Sequence, residues 1–99
     1  MITGKQRSYL RGLSNKLEPI VFIGKQDLTE NIINEIDTAL NTRELVKVKI
    51  QENSTLKPKE TANIVAEKLG AEFVQAIGRK FTLYREALEP ENRQIKLPK

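Results

Sequence analysis

The chain predicts an α/β fold: a two-layer sandwich of helices on a four-stranded mixed sheet, in the order α-β-α-β-α-β-β. Three observations predict it. Val46, Val48 and Ile50 alternate with Lys47 and Lys49 at a period of two, the pattern of a strand with one buried face. Leu28, Ile32, Ile33, Ile36 and Leu40 recur at helical spacing, as do Ala62, Val65, Ala66 and Leu69. Short apolar or alternating runs bounded by proline or glycine, at 20–23, 72–77 and 81–85, read as the remaining strands.

The first helix is expected over residues 3–15. Thr3 and Gln6 have capping-box spacing, and Leu10, Leu13 and Leu17 make an apolar stripe with Tyr9 at its margin. Arg7 and Arg11 lie one turn apart and share a face. Pro19 ends this segment and biases Glu18 toward extended backbone. The run Ile20-Val21-Phe22-Ile23 then reads as a buried strand, with Phe22 inside it. Gly24-Lys25-Gln26-Asp27 forms a turn into a second helix over 28–41, with Asp27 as N-cap and Thr29 as a second candidate. Its exposed face carries Glu30, Asn34, Glu35 and Asp37.

The second strand covers 44–51, and Asn53-Ser54-Thr55 reads as loop. Pro58 suits the first position of a third helix over 58–69, and Gly70 suits its C-terminal cap. The last two strands form a hairpin around a three-residue connection, Gly78-Arg79-Lys80. Residues 1–86 are expected to form one domain. Residues 87–99, charged and carrying Pro90 and Pro98, are expected to be a frayed or loosely docked tail.

Composition narrows the function classes. The 99 residues contain neither cysteine nor histidine, so the commonest general base, the best nucleophile and the usual zinc ligands are missing. No enzyme activity, cofactor or metal site is expected. No apolar run approaches the roughly 20 residues of a membrane helix, and the first residues lack the apolar core of a signal peptide. These features point to a cytoplasmic protein. The net charge is +4, and residues 1–25 supply the whole excess with five basic side chains against Glu18. The other twelve bases and twelve acids cancel. Basic charge concentrated beside a glycine turn is the footprint of a polyanion partner.

At this point the chain resembles the CRM domain family, named for chloroplast RNA splicing and ribosome maturation. The resemblance is carried by Pro19 through Thr29, by Glu35-Ile36-Asp37-Thr38-Ala39-Leu40 leading into Glu44-Leu45-Val46-Lys47-Val48-Lys49, and by Ile77-Gly78-Arg79-Lys80-Phe81-Thr82-Leu83-Tyr84-Arg85. The length matches the stand-alone bacterial YhbY-type members. The resemblance implies a fold similar to the C-terminal half of translation initiation factor three. It also implies binding to ribosomal RNA in precursors of the large ribosomal subunit. In the family a Gly-x-x-Gly loop, similar to that of KH domains, clamps RNA backbone; carried over here, it points to Gly24, Lys25 and Gln26. The family's fourth loop residue is usually glycine, whereas here it is Asp27. An Asp27 carboxylate that caps the second helix would occupy its N–H groups and repel a phosphate.

The candidate RNA-binding residues are therefore Lys5, Arg7, Arg11, Gly24, Lys25, Gln26, Arg79, Lys80 and Arg85. Lys47 and Lys49 read as a solvated strand face. With no Gly-Phe-x-Phe signature, recognition is expected through backbone and shape rather than by stacking on the sheet. The protein is expected to be a monomer without a small-molecule substrate. The competing reading is a protein-interaction adaptor that docks partners on the acidic face of the second helix.

Overall fold

Thr3 opens the first helix as its spacing predicts: its hydroxyl accepts from the N–H of Gln6, while the Gln6 side chain accepts from the Thr3 N–H at 2.9 Å. The computed structural model describes residues 2–99. The elements are α1 (Gly4–Ser14), β1 (Val21–Ile23), α2 (Glu30–Arg43), β2 (Leu45–Ile50), α3 (Pro58–Leu69), β3 (Glu72–Ile77) and β4 (Lys80–Tyr84), followed by a 3-10 turn at Pro90–Asn92.

The four strands form one mixed sheet in the order β1-β2-β4-β3. β1 runs parallel to β2, and β4 is antiparallel to both its neighbours. The alternation in β2 divides the molecule. Val46, Val48 and Ile50 face α2 and α3 and join Val21, Ile23, Ile36, Leu40, Ala62, Val65, Phe81 and Leu83 in the main core. Each aliphatic side chain buried there contributes roughly 1.5–3 kcal/mol. The two-layer expectation holds for this half.

A second, smaller cluster lies on the opposite face, where Leu10 of α1 packs on Leu45, Val74 and Tyr84. α1 is therefore a partial third layer, covering only part of that face. The register slips between Phe73 and Gln75, so that Val74, packed in this cluster, and Gln75, bonded to Ser14, both lie on the α1 side.

Several boundaries differ from expectation for local reasons. α2 starts later, because Thr29 is its cap and accepts from the Ile32 N–H. Asp27 is not the cap. Its φ is 61°, in the left-handed region, and Ser54 Oγ donates to its Oδ1 at 2.6 Å. The hairpin turn has two residues rather than three: Lys80 already pairs with Ile77, and Gly78 takes the positive φ of 61° that such a turn needs at its first position. Phe22 is not buried. In the edge strand β1 it points away from the core and is 47% exposed, while Val21 and Ile23 point inward.

Residues 87–99 also differ from the expected loose tail. The carboxylate of Glu44, itself fully buried, accepts the N–H groups of Ala87, Gln94 and Ile95 at 2.8, 2.6 and 3.0 Å. Ile95 and Leu97 pack beside Leu10, and the Gln6 side chain donates to the Pro98 carbonyl. Burial raises the Glu44 pKa, but the three backbone donors and the Arg93 charge outweigh it and hold the carboxyl below its usual value.

Candidate nucleic-acid interface

Strand direction decides which loops meet. Ile23 at the end of β1 pairs with Ile50 at the end of β2, and Lys49 pairs with Lys80 at the start of β4. The loops after β1 and β2 and the β3–β4 turn therefore share one end of the sheet. That end holds Gly24, Lys25, Gln26, Arg79 and Lys80, five of the nine candidates.

Arg79 ties these loops together. Its Nε donates to the Ile50 carbonyl at 2.9 Å, and its Nη2 donates to the carbonyls of Gln51 and Ser54. Ser54 in turn donates to Asp27, so the turn 24–27 is anchored to the β2–α3 loop. Gly24 has no unusual φ; a Cβ there would stand 3.1 Å from Gln51 Oε1, so a larger residue would have to displace the end of that side chain. The positive φ falls instead on Asp27, the position at which the resemblance leads one to expect glycine. The Asp27 carboxylate is engaged with Ser54 and leaves the α2 N-terminus to Thr29.

Lys25, Gln26 and Lys80 are exposed at this end, and Lys49 is exposed beside Lys80 on the face that α1 leaves open. Among the described residues, the side-chain amines of Lys25, Lys49 and Lys80 make no hydrogen bond or ion pair. A concavity beside them is lined by Asn15, Lys47, Lys49, Gln75, Lys80 and Thr82, with Glu52 at its rim. Lys47 is half-buried and donates to the Leu17 carbonyl. Lys49 belongs to this surface, although its alternating sequence context reads as a solvated strand face. The signal is its place as the last residue but one of β2, where the strand register puts it next to Lys80.

The remaining candidates lie elsewhere. Arg7 donates from Nε to the Phe73 carbonyl and Arg11 to the Val74 carbonyl, at the start of β3. β3 and β1 are the two outer strands, so these guanidinium groups and Lys25 are at opposite edges and opposite ends of the sheet. Strand spacing and rise put them roughly 20 Å apart. The expected single surface of α1 and the glycine turn is not formed. Lys5 is exposed on α1. Arg85 is turned inward: it donates to the Leu69 and Asp37 carbonyls and to Asn41, and pairs with the Asp37 carboxylate at 2.9 Å. It clamps the end of α3 to α2, and it takes one acid out of the acidic face of α2.

Comparison with known proteins agrees with this architecture. Residues 2–85 match the profile of the CRS1 / YhbY (CRM) domain. The chain is 38% identical over 98 residues to "Probable RNA-binding protein YqeI" of Bacillus subtilis, covering 99% of this chain and 100% of that protein. It is 36% identical over 98 residues to "RNA-binding protein" of Haemophilus influenzae, covering 99% and 96%. The solution structure of SAV1595 from Staphylococcus aureus superposes with a TM-score of 0.82 at 44% identity, over 99% of this chain and all of that one.

Proposed function

The chain belongs to the CRS1 / YhbY (CRM) domain family, and from that premise we propose that it binds RNA without catalysing a reaction. The RNA is ribosomal, within precursors of the large subunit, and the protein acts on it as a monomer in the cytoplasm. The observation that carries this reading is the cluster of uncommitted amines of Lys25, Lys49 and Lys80 at one end of the sheet. Lysines without an internal acceptor are free to neutralise phosphates and release counterions. Gly24 and Gln26 shape the turn that presents Lys25, and Arg79 holds that turn against the next loop. Lys5, Arg7 and Arg11 form a separate basic area that only an extended RNA would reach at the same time. Arg85 supports the fold. The curated relatives named above carry RNA-binding names, which supports the same reading.

The test is sedimentation of a lysate through a sucrose gradient with and without ribonuclease. Ribonuclease-sensitive migration with large-subunit precursors is the expected result. Association with a protein that survives ribonuclease would favour the adaptor reading instead.

A further inference from the structure

The strand register builds a row across the sheet that the sequence does not display. Phe22 pairs with Lys49, Lys49 with Lys80, and Lys80 with Ile77, one residue from each of the four strands. All four stand on the face opposite the main core, beyond the part that α1 covers. All are exposed, Phe22 by 47% and Ile77 by 64%. The row spans three strand spacings, about 14 Å, and borders the concavity described above.

We infer that this row is a platform for single-stranded RNA, with an unpaired base stacked on the Phe22 ring and the adjoining phosphates held by Lys49 and Lys80. The inference deepens the RNA-binding reading of the same site and rests on it. An exposed phenyl ring on a flat strand offers a π-face that accepts any base. Two lysines follow it along the row, both on the inner side of this edge strand, and neutralise successive phosphates of the strand that runs on from that base. A paired duplex keeps its bases stacked inside and cannot deliver one to Phe22, so the platform selects single strands or loops. Lys47, Lys49, Arg79 and Lys80 line the concavity against the single acid Glu52, so its charge complements RNA. An apolar protein partner spanning Phe22 and Ile77 would instead desolvate the two amines between them without supplying acceptors.

The test measures fluorescence anisotropy of the full chain with oligouridine of about eight nucleotides, within the usual range of single-strand sites, and with a fully paired RNA duplex. Phe22→Ala is expected to weaken oligouridine binding about tenfold while changing duplex binding less than about twofold. Phe22→Trp is expected to retain binding and to lose indole fluorescence when oligouridine is added. Because the Phe22 ring is exposed, a thermal melt of each variant should match the parent. If Phe22→Ala binds oligouridine like the parent while Lys49→Ala/Lys80→Ala loses it, the stacking platform is refuted and RNA binding survives. If the parent binds neither RNA and instead retains a protein through ribonuclease treatment, the platform and the RNA reading both fall.

Discussion

Ser54 donates its hydroxyl to the carboxylate of Asp27 at 2.6 Å, and Asp27 holds this contact from a left-handed backbone at φ 61°. One residue thus carries two opposed effects: a stabilising hydrogen bond and a backbone conformation that costs most residues about 1 kcal/mol, though Asp less than most. Asp27→Gly removes both and is expected to change unfolding free energy by less than about 1 kcal/mol. Asp27→Ala keeps the strain, loses the bond and is expected to cost about 1–2 kcal/mol. Urea titrations of the two variants check the difference; equal losses would contradict it.

Arg85 is expected to matter for folding and not for RNA. Its guanidinium joins the end of α3 to α2 through Leu69, Asp37 and Asn41. Arg85→Ala leaves those acceptors without a partner and should cost about 2–3 kcal/mol. RNA affinity per folded molecule, measured well below the melting temperature, should stay within about twofold of the parent.

Glu44 makes the docking of residues 87–99 depend on pH. Its carboxyl is depressed below the ordinary value of about 4.3. A carboxyl depressed in the folded state contributes stability that is complete above the unfolded value and is lost as pH falls through the folded one. Amide exchange of Ala87, Gln94 and Ile95 should therefore be slow at neutral pH and accelerate as pH falls through the acidic range in which the depressed Glu44 carboxyl takes up its proton, relative to core amides in β2, once the intrinsic pH dependence of exchange is removed. Glu44→Gln should free the same segment at pH 7 and cost about 2–3 kcal/mol.

Sequence pattern and structure agree at several places where the cause is local. The Thr3–Gln6 capping box, Pro58 at the head of α3, Gly70 at its end and the period-two run of β2 all depend on a few adjacent residues. Glu44 looked like the start of a strand, because its donors lie more than forty residues away. Phe22 looked like core because an apolar run does not say which residue an edge strand turns outward. Arg79 and Arg85 read from the sequence as RNA-binding candidates, yet both donate to carbonyls that only tertiary packing brings near. The basic residues of the first quarter of the chain are close in sequence, but α1 leads to one edge of the sheet and β1 forms the other. Family likeness had singled out the glycine turn, and the register added Lys49 to it.

The central claim is that the uncommitted lysines at the end of the sheet, rather than the arginines of α1, provide most of the grip on RNA. The most direct measurement is the dependence of ribosomal RNA affinity on salt for the parent, for Lys25→Ala/Lys49→Ala/Lys80→Ala and for Arg7→Ala/Arg11→Ala. Each lost phosphate contact to a single strand flattens the log–log slope by about 0.7. The lysine variant should lose about 2 from the slope and bind at least tenfold more weakly at low salt, with the arginine variant near the parent. A lysine variant that keeps the parent slope while the arginine variant loses it would contradict the account.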